Sequence, residues 1–127
     1  MEAGPELDEI MHTRVMGLPK AVLGGACPHC GEKTYLTKDR AWCTGCREWI
    51  YSPYPEYSEM VEWAWQVRNK IAELCIISIQ NETTDGSSCF VRRKGEDKYI
   101  AVEYGETAPL AICNVALKVM ELESEHA

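Results

Sequence analysis

Four cysteines in the first half of the chain are the residues whose type and spacing predict a specific chemistry. They form two Cys-x-x-Cys pairs, Cys27 with Cys30 and Cys43 with Cys46, with 12 residues between the pairs. Each pair can turn both sulfur atoms toward one centre, and a hairpin between the pairs would bring the two halves together. Four thiolates in this arrangement are typical of a tetrahedral structural Zn²⁺ site, so the sequence predicts one.

Two other interpretations stay open: an iron–sulfur site held by the four cysteines, and a redox-active dithiol at the first pair. The letters CPHC resemble the active-site motif of thiol oxidoreductases, which lies at a helix N-terminus where the dipole lowers the thiol pKa. Here Gly31 follows the pair at once, and a second pair is present to complete a metal site. Zinc is therefore favoured over both, and His29 is interpreted as a solvent-facing residue of the first turn.

The composition places the chain in a broad class. It has 127 residues, a net charge of −7, a pI of about 5.0 and an ordinary hydrophobic fraction of 46%. This size predicts one domain, and the acidic balance disfavours a protein that binds chiefly to phosphates. No apolar run reaches the roughly 18 residues of a membrane span, and the acidic N-terminus does not resemble a signal peptide. We expect a cytoplasmic protein without a membrane partner.

The remaining cysteines also fit a reducing compartment. The chain contains seven cysteines, an odd number, which favours a metal site plus buried thiols over a disulfide framework. Cys75, Cys89 and Cys113 lie in apolar stripes without metal-ligand spacing. They are predicted to be small core residues.

Hydrophobic periodicity and turn signals predict the elements that position these residues. Ser58 and Thr107 are predicted helix caps, and Gly17 is predicted to end the first helix. Residues 81–88 are predicted to form a turn. The predicted helices are 6–16, 58–73 and one starting at 107, and the predicted strands are 34–37, 41–43, 49–51, 74–80, 89–93 and 98–104.

This order of elements predicts an α+β fold. A three-stranded, mainly antiparallel sheet is layered with about three helices, and a zinc-ribbon hairpin is inserted after the first helix. The predicted boundaries are residues 1–26 for the N-terminal helix of the α+β domain, 27–51 for the ribbon, and 52–127 for the rest of the domain.

Two further groups of residues are candidates for binding. Arg92, Arg93, Lys94 and Lys98 form the densest basic cluster, which suits either a small anionic ligand or a solvated hairpin tip. Trp63 and Trp65 lie about 200° apart on a helix, so at least one is expected at the surface. Together with Trp42 on the ribbon, they form a candidate interaction surface.

Three blocks outside the ribbon resemble a known family. They are residues 7–19, 51–71 and 106–122, and the last contains Ala111, Ile112, Cys113, Ala116 and Leu117 at a specific spacing. In this order the blocks resemble the phage ABA sandwich domain, a small α/β domain encoded by phages and prophages. The resemblance implies a phage or prophage origin and a layered fold, and it implies no activity.

These observations predict a non-enzymatic protein that acts by binding, with structural zinc. The expected partner is a host or phage protein, or a second copy of the chain, in a regulatory or counter-defence role. The alternative is a binder of a small anionic ligand such as a nucleotide, through the basic cluster. Nucleic-acid binding by the ribbon ranks third, because acidic residues alternate with its basic ones and a zinc ion with four thiolates is itself dianionic.

Overall fold

The computed structural model describes residues 1–82 and 86–125. Its helices and strands follow the predicted order, and the α+β class is confirmed. The elements are α1 (Pro5–Ile10), which continues as a π-helical segment (Met11–Val15), β1 (Thr34–Thr37), β2 (Arg40–Cys43), β3 (Glu48–Ile50), α2 (Val61–Ala72), β4 (Cys75–Glu82), β5 (Gly86–Arg93), β6 (Tyr99–Gly105) and α3 (Ala108–Glu125).

The strands form two separate antiparallel sheets of three strands each, in the orders β1-β2-β3 and β4-β5-β6. The first is the ribbon and the second is the sheet of the main domain. Of the predicted turn over residues 81–88, residues 83–85 lie outside the described residues, while Asn81 and Glu82 belong to β4 and Gly86–Ser88 belong to β5.

The main core lies between the second sheet and the helices. Alternate residues of β5, Cys89 and Val91 among them, are buried on the inner face, as expected for a strand with one covered side. α3 packs on β5 and β6, while α2 packs beside α3 and against β4. The outer face of the sheet is open, and Tyr99, Val102 and Tyr104 of β6 are about half exposed there.

Gly105 marks the closest approach between the sheet and α3. A Cβ atom at this position would lie 2.4 Å from the backbone N of Ala111, so only glycine fits at the end of β6. At the start of α3, the hydroxyl of Thr107 accepts a hydrogen bond from the N–H of Leu110 at 3.3 Å. This confirms the predicted cap.

The prediction that Ser58 caps α2 is wrong, because its side chain forms hydrogen bonds with residues outside that helix. Its backbone N–H and its hydroxyl both donate to Oδ1 of Asp8 at 2.8 Å, and the hydroxyl accepts from the N–H of Gly4 at 3.0 Å. Met60 is the residue before α2, and no side chain caps the helix there. Asp8 and Ser58 are buried, so this interaction fastens α1 to the chain that follows the ribbon.

A second link joins the same two parts of the chain. The Tyr54 hydroxyl accepts from the backbone N–H of Ala21 at 3.2 Å and donates to its carbonyl at 3.3 Å. Ala21 precedes the ribbon and Tyr54 follows it. The entry and exit of the ribbon therefore lie side by side.

Removing the Asp8 carboxylate should destabilise the protein. In Asp8→Ala, the two buried donors of Ser58 lose their acceptor, at a cost of about 2 to 3 kcal/mol in unfolding free energy. Asp8→Asn keeps an oxygen acceptor and should lose less than about 1 kcal/mol. Urea denaturation followed by circular dichroism measures both variants, and equal losses would contradict this role.

A partly buried histidine should make stability depend on pH. His12 Nδ1 lies 2.9 Å from the Tyr57 hydroxyl, and burial lowers the pKa of His12 below its usual 6.5. The unfolded chain therefore takes up this proton first, so stability is lost as the pH falls through about 6.5. The loss of unfolding free energy between about pH 7.5 and 5.5 should be smaller in His12→Gln than in wild type. An identical loss in the two proteins would count against the prediction.

Candidate metal centre and its surroundings

The two cysteine pairs form matching turns. In the first turn, the N–H of Gly31 donates to the carbonyl of Cys27 at 2.9 Å, and in the second the N–H of Arg47 donates to the carbonyl of Cys43 at 2.8 Å. Gly31 and Arg47 both have positive φ angles, 79° and 56°. Each turn therefore reverses the chain just after its second cysteine and leaves both sulfur atoms on one side.

The four sulfur atoms come together as the spacing predicts. They all lie within 4.8 Å of one another, with 3.4 Å between Cys30 and Cys43 and 3.8 Å between Cys27 and Cys46. A tetrahedron with metal–sulfur bonds of about 2.3 Å has sulfur–sulfur edges of about 3.8 Å. The residues present therefore fit a tetrahedral metal ion, and all seven cysteines are free.

Backbone groups support negative charge on these sulfur atoms. The N–H of His29 points at the sulfur of Cys27 from 3.4 Å, and the N–H of Cys46 points at the sulfur of Cys43 from 3.3 Å. The second contact is the main reason why the pKa of Cys43 is lowered to about 7. The neighbouring Cys30 thiol raises the pKa of Cys46. Such crowding of thiols is relieved when a cation replaces their protons.

Gly45 is required for space. A Cβ atom there would lie 2.9 Å from both the Cys30 sulfur and Cγ of Glu32. The glycine lets the second turn approach the first closely enough to close the site. The ribbon has only a small core of its own, formed by Cys27, Cys43 and Ile50.

Trp42 contributes to the internal packing of the ribbon. It is half-buried and meets Trp49 edge-to-face at a centroid distance of 5.2 Å, while the Arg40 guanidinium lies 3.8 Å from the Trp49 ring centre. Since β2 and β3 carry these rings, they stiffen the pairing of the two strands.

The two tryptophans of α2 lie in different environments, as their spacing indicates. Trp65 is 45% exposed and lies beside Arg68, whose guanidinium carbon is 4.8 Å from the ring centre. Trp63 is half-buried, packs against the core and lies 6.2 Å from the His29 ring of the ribbon. Trp63 is thus a point where the ribbon touches α2, and an interaction surface that includes Trp42, Trp63 and Trp65 stays a prediction.

The basic cluster is largely engaged by the protein itself. Arg92 donates to the carbonyl of Glu96, Arg93 pairs with Glu123 at 3.4 Å, and Lys94 donates to the carbonyl of Glu73. Lys98 is exposed. A small-anion site here stays a prediction, and these contacts fit the interpretation as a hairpin tip.

The other cysteines are buried, as predicted. Burial raises the pKa of Cys89 to about 11 and raises that of Cys75 and Cys113 as well. The Cys113 thiol donates to the carbonyl of Tyr57 at 3.3 Å. These thiols are protonated at neutral pH and behave as packing residues.

Sequence reasoning missed a cavity of about 570 Å³ between the ribbon and the helices. The cavity lies where the end of the ribbon, the start of α1, the connector after the ribbon and the first turn of α2 meet. The Tyr-rich connector SPYPEYS is the one local sequence signal of an unusual surface. Its sequence alone does not show which residues from other parts of the chain lie next to it. The lining includes Asp8, His29, Glu48, Trp49, Tyr54 and Trp63.

The fold and the site define a small α+β domain with an inserted four-cysteine ribbon. The phage ABA sandwich domain matches residues 8–117, and the chain belongs to that family. The chain is also similar to a phage protein from Bacillus cereus ATCC 14579, whose structure is known at 2.0 Å. The two are 20% identical with a TM-score of 0.57, covering 95% of this chain and 91% of that one, which supports the shared fold.

No curated protein has a matching sequence. In the described parts of the chain, there is no helix with the length and apolar character needed to cross a membrane.

Loss of a metal ligand should release the metal and loosen the ribbon. We expect one tetrahedral metal ion per chain in the wild type, and Cys43→Ser or Cys46→Ser should reduce it to well below one half. Elemental analysis measures the metal, and Co²⁺ substitution gives a thiolate charge-transfer spectrum that reports the ligands. Cys89→Ala, which removes a buried thiol outside the site, should keep the full metal content. A full metal content in Cys43→Ser would contradict the assignment.

Proposed function

We propose that this member of the phage ABA sandwich family is a non-enzymatic accessory protein that binds another protein through the open face of its second sheet. Tyr99 and Val102 are 55% and 53% exposed there, and the Phe90 ring packs against Tyr99 at a centroid distance of 5.3 Å. This exposed apolar patch carries the proposal, because contiguous patches of this kind mark interaction sites.

The partner that suits this face is a host protein with a basic surface. The chain carries a net charge of −7, so a basic partner is attracted, whereas a second copy is repelled. Arg92 is the charged residue that shares this face of β5, since it alternates with Phe90 and Ser88. The patch is therefore apolar with Arg92 at its edge, and the attraction for a basic partner comes from the net charge of the whole chain.

The metal is proposed to be zinc in a structural role. Four thiolates fill a tetrahedral coordination shell, so no position remains for a water or substrate. Neither cysteine pair lies at the start of a helix, since the first is followed by the turn at Gly31 and the second by β3. The dipole effect that activates a redox dithiol is therefore not available to either pair. Zinc binding supplies free energy that the ribbon's small core does not.

Capture of a partner from host lysate tests the sheet face. Tyr99→Thr with Val102→Thr removes apolar area while keeping residues that suit a strand, and should reduce the captured partner at least tenfold. The matched control is Tyr35→Thr with Leu36→Thr on the ribbon, where the exposures are 54% and 55%. The control should capture the partner at the wild-type level.

Mass spectrometry of the captured material, followed by binding measurements with the purified partner, quantifies the effect. Equal loss of binding in both double variants would place the interface elsewhere. Undiminished binding by Tyr99→Thr with Val102→Thr would overturn the proposal for the sheet face.

A further inference from the structure

The cavity between the ribbon and the helices has an acidic lining. Its volume is about 570 Å³, within the usual range for small-ligand sites. Five carboxylates from four different parts of the chain line it, and His29 is the one lining residue able to carry positive charge. The carboxylates belong to Asp8, Glu48, Glu56, Glu59 and Glu62.

These carboxylates have no positive partner within the described structure. The ion pairs found there use Glu9, Glu73, Glu121 and Glu123, none of which lines the cavity. Carboxylates gathered around one space repel one another, and their field is focused by the low-dielectric walls. A bound cation would relieve this repulsion.

Asp8 is the most informative of the five. The residue is 2% exposed, yet both hydrogen bonds that it accepts from described residues end on Oδ1. Oδ2 accepts none from the described part of the chain. Among the described residues, the one fully buried side-chain nitrogen or oxygen atom without a hydrogen bond is Arg68 Nε, so Asp8 Oδ2 keeps accessible surface, and because Asp8 lines the cavity this oxygen is available to a donor there.

Aromatic side chains form the rest of the cavity wall, and they indicate which class of ligand the cavity could bind. Trp49, Tyr51, Tyr54 and Trp63 line the same space. Trp63 is held in place by its edge-to-face contact with Tyr57 at 6.1 Å and by His29. Aromatic faces beside carboxylates are the usual surroundings of organic cations.

A metal ion fits this cavity poorly. Among the described residues, the four cysteines are the one group of three or more potential ligands whose atoms converge within 4.8 Å. The carboxylate oxygens of the cavity are therefore spread around its wall, as suits a larger ligand with several donors.

We propose that this cavity binds an organic cation, a guanidinium or alkylammonium group on an apolar stem. The carboxylates of Glu59 and Glu62 attract the group, Asp8 Oδ2 accepts a hydrogen bond from it, and Trp49 and Trp63 pack against its stem. The group comes from either a free amine or a basic side chain of a bound protein. This site is distinct from the sheet face, so its test is independent of the proposed function.

Fluorescence titration of the metal-loaded protein tests the proposal, because two of the chain's four tryptophans line the cavity. Agmatine and a short capped peptide with one arginine are the two probes. Saturable quenching by either one is expected, and its absence for both would overturn the proposal. Tighter binding of agmatine assigns the site to free amines, and tighter binding of the peptide assigns it to protein side chains.

Variants that replace glutamate by glutamine distinguish binding in this cavity from nonspecific attraction by the negative net charge of the chain. Glu59→Gln with Glu62→Gln should weaken binding of the tighter probe by about tenfold or more. The control, Glu96→Gln with Glu106→Gln, removes the same number of charges from exposed positions outside the cavity and should bind as the wild type does. Equal weakening in both double variants would show attraction by net charge alone and would overturn the site.

Discussion

The buried interaction between Asp8 and Ser58 is the constraint on which the rest of this structure depends. It joins residues 50 positions apart and fixes α1 against the chain that emerges from the ribbon. Burial raises the pKa of Asp8 above its usual 3.8, so holding a charge there is costly, and the donors of Ser58 offset part of that cost. With α1 held in this way, Leu7 and Met11 complete the core beneath α2 and α3.

The same interaction helps to place the ribbon, because it fixes the chain that leaves it. A four-cysteine hairpin with a core of three buried residues would depend on a bound metal for internal order, but a metal there would not orient it against the rest of the protein. That orientation comes from the chain at its two ends and from the contact between His29 and Trp63. The acidic cavity is the space left between these fixed parts.

Local patterns were sufficient to predict most elements and the convergence of the four ribbon cysteines. The spacing of Cys27, Cys30, Cys43 and Cys46 determines their geometry over short distances, because each turn and the hairpin between them are local structures. The strands and helices of the main domain follow from periodicity in the same way, and Thr107 caps α3 as expected. The π-helical form of Met11–Val15 had no such signal. Long-range pairings could not be predicted: Ser58 has the sequence environment of a helix cap, and nothing local to it shows that Asp8 competes for its hydroxyl.

The hydrogen bonds between Ala21 and Tyr54 have a consequence for how the sequence of this protein can change in evolution. Because the chain leaves and re-enters the domain at neighbouring points, the ribbon occupies the position of an exchangeable cassette. A short linker or an unrelated loop could bridge the same gap without disturbing the sheet or its helices. A lineage could therefore replace the cassette in one step and change what the acidic cavity recognises, while the scaffold stays the same.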